Sequence, residues 1–135
     1  MKTVWCLVLF LACLAPAYAD RRVMSISSGN ETKAWFVTDS QIQVLAHWDV
    51  FSMAPPVPLV SVLQNAQANV KSVYGEANPR LYRIKLRRLD SAKWAYVLIY
   101  VRDSTDEKAA RKPESQLVAV VLQNGIVIDP VIERK

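Results

Sequence analysis

Four β-rich runs follow one another in the second half of the chain: "RLYRIKLRRL" (80–89), "WAYVLIYVR" (94–102), "QLVAVVLQ" (116–123) and "IVIDPVI" (126–132). This succession constrains the fold more than any other feature. The first two runs are separated by "DSAK" and the last two by a turn around Asn124 and Gly125. Strands joined so closely pair antiparallel, because a parallel pair needs a crossover of a dozen residues or more. Asn followed by Gly is a strong hairpin cue, since both residues tolerate the positive φ of a tight turn. The charged segment "DSTDEKAARKPES" (103–115) between the second and third runs reads as a solvated connection.

A sheet with an apolar face needs a cover, and the residues just before it supply one. "APPVP" (54–58) interrupts the chain, and Pro58 suits a first helical turn, where its missing N–H has no partner in any case. Leu59, Leu63, Ala66, Val70 and Val73 then recur at spacings of three and four, with Gln64, Asn65, Gln67, Asn69 and Lys71 mainly opposite. Gly75 is placed to end the helix in a left-handed conformation. The expected fold is α+β, one amphipathic helix packed on a curled antiparallel sheet of about four strands over residues 55–135. Residues 20–54 are expected to form an irregular segment with short strands at "AWFVT" and "IQVLAHW", and "SISSGNET" reads as turn chemistry.

The first 19 residues read as a secretory signal peptide: Lys2, an apolar run from Val4 to Leu14, and a small-residue site at Ala17 and Ala19. The run is well short of the ~20 residues of a spanning helix, and no second one follows. Export to the periplasm or the extracellular space is therefore expected. A lipoprotein anchored through Cys13, in "FLAC", is the minor alternative. Cys6 and Cys13 both lie in this leader, so the exported chain would carry no disulfide, thiol nucleophile or cysteine metal site. Loss of Lys2 leaves 16 basic residues against 12 acidic, a mild excess that favours solubility and attraction to anionic partners.

The first hairpin carries the candidate site. With "DSAK" as the loop, Leu86, Ile84 and Tyr82 oppose Val97, Ile99 and Val101, while Arg87, Lys85 and Arg83 oppose Tyr96, Leu98 and Tyr100. That register gives the helix an apolar face and leaves Arg83, Lys85, Arg87, Trp94, Tyr96 and Tyr100 together on the other. A loop shorter by one residue would turn the three cations toward the side of Ala95, Val97 and Ile99, so the longer loop is preferred. Mixed cations and rings can hold a polyanion, yet they also support one another on a solvated sheet face without any ligand. Nucleic acid is disfavoured: the order of elements is not that of an RNA-recognition motif, and no glycine-rich element allows close backbone approach.

Catalytic chemistry finds little support. His47 is the only histidine, and no nucleophile motif accompanies it. Asp49 would share its face on an extended strand, making the pair the residues of choice for an uncharacterised hydrolase. Two ligands are too few for a zinc site, and the acidic residues of 103–115 lack the glycine of a calcium loop. With three glycines in all, the chain has no phosphate-binding loop. No cofactor or metal is expected.

The helix "PPVPLVSVLQNAQANVKSVYG", the strand "KWAYVLIYV" and the terminal "LVAVVLQNGIVIDP" together resemble small exported bacterial proteins of PepSY-like or cystatin-like layout. The resemblance covers residues 55–132 and implies a helix on a curled sheet, with an inhibitory or binding role outside the cytoplasm. It implies no functional residues. The expectation is an exported, non-catalytic binding or inhibitory module whose partner is a protein or an anionic envelope component, with a polyanion-binding protein and a hydrolase as alternatives.

Overall fold

The computed structural model describes residues 20–134; the expected signal peptide, with Cys6 and Cys13, lies outside the described residues. The elements in chain order are β1 (Arg21–Ser28), β2 (Glu31–Val37), α1 (Asp39–Gln43), α2 (Leu59–Tyr74), β3 (Pro79–Asp90), β4 (Lys93–Arg102) and α3 (Glu107–Ala110). After a 3-10 turn at Pro113–Ser115 come β5 (Leu117–Leu122), β6 (Val127–Ile128) and β7 (Val131–Arg134). The layout is α+β, as the sequence predicts, but with two antiparallel sheets.

Strands β3, β4, β5 and β6 form the larger sheet in that order, and α2 lies across one of its faces. Val62, Ala66 and Val70 of the helix are fully buried against Tyr96, Leu98, Tyr100, Leu117, Ala119 and Val121. The buried stripe is centred on these three small side chains rather than on Leu59, which stays exposed, so the helix can lie close over β5. Gly75 ends the helix at φ 66°, its N–H donating to the Lys71 carbonyl at 3.0 Å.

The opposite face of the same sheet is covered too. Residues 21–37 form a hairpin, β1 with β2, and β7 adds to its β2 edge. Val23, Trp35 and Val37 of this smaller sheet pack on Ala95, Val97, Ile99, Val118, Val120 and Leu122. The molecule is thus layered as small sheet, large sheet and helix, with an apolar core on each side of β4 and β5. That is why "LVAVVL" in β5 is buried at every position.

Three expectations are corrected here. "SISS" is strand rather than turn, paired with β2 around Gly29 at φ 60°. "IQVLAHW" is no strand: Thr38 caps α1, accepting from the Gln41 N–H at 3.2 Å, while the Thr38 N–H donates to Gln41 Oε1 at 2.9 Å. This T-x-x-Q capping box outweighs the β-branched residues that follow it. "IVIDPVI" is split by Asp129 and Pro130; Pro130 cannot donate to a ladder, and the chain crosses from β5 to β2 after it. No helix among the described residues is long and apolar enough to cross a membrane.

Candidate binding surface

Strand β3 is the outer strand of the large sheet, paired with β4 on one side and with no strand on the other among the described residues. Its register differs from the expected one. Arg83 pairs with Ile99, Ile84 with Leu98, Lys85 with Val97, Leu86 with Tyr96 and Arg87 with Ala95. The chain reverses between Asp90 and Lys93 through Ser91 and Ala92, with Ala92 in the left-handed region at φ 54°. Bulges at Tyr82 and Leu89 take up the extra residues.

Directly opposed residues point to the same face, so the six residues expected to form one surface are separated. Arg83, Lys85 and Arg87 lie on the side of Ala95, Val97 and Ile99. Trp94, Tyr96 and Tyr100 lie on the helix side. Tyr96 and Tyr100 are buried in the helix-facing core, and burial pushes both hydroxyls above the ordinary tyrosine value. Trp94 is half-buried, its indole N–H donating to the Trp48 carbonyl at 3.2 Å. The rings are structural and offer no stacking platform beside the cations.

The correction has a physical cause. A longer loop would keep charge out of a covered face, but the core under the small sheet takes in only Tyr82 and Leu89 of β3, and Arg83, Lys85 and Arg87 are exposed to solvent. The bulges do the rest: they direct Tyr82 and Leu89 onto the inter-sheet core, and Arg83 lies over the Tyr82 ring at 5.4 Å.

The result is a two-sided edge. Arg83, Lys85 and Arg87 are exposed on one side, and Arg80 and Arg88 extend the same strand. Among the described residues none of these five makes an ion pair. On the helix side Leu81, Ile84 and Leu86 remain 39%, 37% and 43% exposed, because α2 packs mainly over β5 and these three residues stay outside the helix-facing core. Arg80, Arg88 and these three apolar residues were missed as site residues, although "RLYRIKLRRL" displays all of them once the strand is known to be an edge.

Two clefts are also present, one of them reaching Arg88 at the end of β3. One, of about 290 Å³, includes Glu31, Lys33, Tyr74, Arg102 and Glu114 in its wall. Its charges are largely matched internally: Lys33 pairs with Glu31, Arg134 approaches Glu31 at 3.7 Å, and Arg102 meets Glu76 at 3.2 Å. The Lys33 hydrogen bond and charge hold the Glu31 carboxyl below its ordinary value, with Arg134 assisting. Burial pushes the Tyr74 hydroxyl up, though it accepts the Val118 N–H at 3.0 Å.

The other cleft, of about 200 Å³, contains His47 and Asp49 with Trp48, Phe51, Arg88 and Trp94. These two residues lie in an irregular segment and not on a strand. The Asp49 carboxylate accepts the Ser52 hydroxyl at 2.7 Å and the Phe51 N–H at 3.0 Å, and these bonds, the Ser52 one first, keep it below its ordinary value. It is committed to shaping its own turn. No group of three or more His, Cys, Asp or Glu residues that could hold a metal occurs among the described residues.

No family model matches the chain, and neither a curated protein nor a solved structure matches it significantly.

Proposed function

We propose that the protein is a non-catalytic binding or inhibitory module that engages a partner protein along the free edge of β3. The observation that carries this reading is a strand of 12 residues whose outer edge has no partner strand and whose five cations have no paired carboxylate among the described residues, beside a row of half-exposed aliphatic residues. An exposed edge is a ready template for another chain, and cations along it repel accidental pairing. The same cations select which chain can approach. The apolar side of the edge favours a protein over a polyanion, because a polyanion would use the cations and leave Ile84 and Leu86 wet. The resemblance to PepSY-like and cystatin-like exported modules agrees with this reading by analogy of layout alone. An exported protein would meet such a partner in the envelope or outside the cell, so the expected leader belongs to the same proposal.

The test is photo-cross-linking in the source cells. A benzoylphenylalanine at position 86 is expected to capture one predominant protein, and the same residue at the exposed Gln67 position on the far side of α2 is not. Capture should fall when Arg83, Lys85 and Arg87 are all replaced by Gln. Equal capture from both positions, or none from position 86, overturns the reading.

A further inference from the structure

The cation row and the aliphatic row on β3 are interleaved along one strand and face opposite ways. Resting on the binding role proposed above, we infer that the partner contributes an extended segment with acidic and apolar side chains in strict alternation, added beside β3 as a fifth strand of the large sheet.

The argument is one of period and sign. Along 83–87 the side chains run Arg, Ile, Lys, Leu, Arg, with Arg83, Lys85 and Arg87 on the small-sheet side and Ile84 and Leu86 on the helix side. A strand hydrogen-bonded to the outer edge sets each of its side chains on the same face as the β3 residue opposite. Carboxylates must then stand against the three cations, and aliphatic or aromatic residues against Ile84 and Leu86. Main-chain bonds supply affinity that any sequence could make, while the alternation supplies selectivity. Five residues of strand span about 16–17 Å, so a segment of five to seven residues is sufficient.

A second copy of this chain is a poor occupant. Antiparallel pairing of β3 with itself, centred on Lys85, brings Arg83 against Arg87 and Lys85 against Lys85, and like charges directly opposite destabilise a pair. At one end the edge is already occupied, as Arg21 donates to the Leu89 carbonyl at 2.9 Å; at the other the Arg80 side chain is taken up by the Thr105 carbonyl at 2.6 Å. These limits, together with the bulge at Tyr82, leave residues 83–88 as the docking length.

The probe is a seven-residue peptide, Glu-Val-Glu-Val-Glu-Val-Glu, titrated into the isotopically labelled full chain, with Glu-Gly-Glu-Gly-Glu-Gly-Glu, the Lys-for-Glu peptide and heparin as comparisons. The alternating peptide is expected to bind and to slow amide exchange at alternate residues between Arg83 and Arg88 by about tenfold or more. Replacing Arg83, Lys85 and Arg87 by Gln should weaken it by at least about tenfold. Leu86→Gln, which removes the aliphatic contact without changing charge, should weaken the valine peptide and not heparin. Both variants alter exposed positions, and an unchanged spectrum elsewhere verifies that they fold.

The inference is overturned if the peptide fails to bind, if it binds without protecting β3 amides, or if the glycine or lysine peptide binds as well. It is also overturned if heparin matches the peptide and protects the same amides. A cross-link from position 86 to a protein lacking such a segment would remove this inference and leave the broader binding role standing.

Discussion

Gln123 is the one polar side chain buried among the described residues, at 1% exposure, and its bonds explain why it is there. Its Oε1 accepts the Trp94 N–H at 2.8 Å, its Nε2 donates to the Ala46 carbonyl at 2.6 Å, and its own N–H donates to the Trp94 carbonyl at 3.1 Å. One side chain thus ties the end of β5 to the start of β4 and to the segment carrying Trp48. That segment is held further by the Trp48 N–H on the Ala92 carbonyl at 2.8 Å. We expect Gln123→Leu to keep the volume yet strand a buried N–H and a buried carbonyl, costing about 2–3 kcal/mol in urea unfolding. A cost below about 0.5 kcal/mol would show that water replaces the amide and that the link is dispensable.

At the scale of elements, the ends of α2 are legible in the sequence because they carry strong local signals, Pro58 before it and Gly75 after it, while its buried face is only partly so, since Val62 and not Leu59 is buried with Ala66 and Val70. The pairing of β3 with β4 was illegible for a definite reason. Register can be read from alternation only when one face is polar. In β4, Trp94, Tyr96, Leu98 and Tyr100 face the helix while Ala95, Val97 and Ile99 face the small sheet, so either register gives an apolar neighbour. The bulges at Tyr82 and Leu89 left no mark in composition. Of the candidate surface, the cations of "RLYRIKLRRL" were legible and their neighbours were not. The α1 capping box at Thr38 and Gln41 is written in the sequence, but the aliphatic run after it carries the stronger strand signal. The turn itself permits a test. Ala92 adopts φ 54°, where a Cβ crowds the backbone, so Ala92→Gly is expected to stabilise the protein by about 0.5–1 kcal/mol in the same unfolding measurement. A loss of stability would argue that the chain does not reverse through Ala92 in this conformation.

On the scale of the whole molecule, the question is whether residues 21–37 are an accessory to the large sheet or half of its core. Trp35 decides it. The side chain comes from the small sheet, is fully buried, and packs in the cluster that contains Val97, Ile99, Val118 and Val120. If the small sheet only drapes over a large sheet that is stable with its helix alone, Trp35→Ala loosens the hairpin and leaves β4 and β5 protected. If the layers are one cooperative unit, the cavity destabilises everything at once. Loss of a buried tryptophan costs about 3–5 kcal/mol, a large share of the 5–15 kcal/mol that typically holds a domain of this size. We expect the second outcome, because β5 is buried at every position and has no solvated face to fall back on. Amide exchange in β4 and β5 should rise together with that of β2, in one transition. Binding at β3 depends on the same result, since an edge can accept a fifth strand only while β4 holds it in place from behind. Trp35→Ala, though remote from the edge, should therefore abolish peptide binding in the denaturant range where wild type still binds. Were β4 to stay protected while the hairpin alone opened, the edge would function without its second layer, and the small sheet would need another explanation.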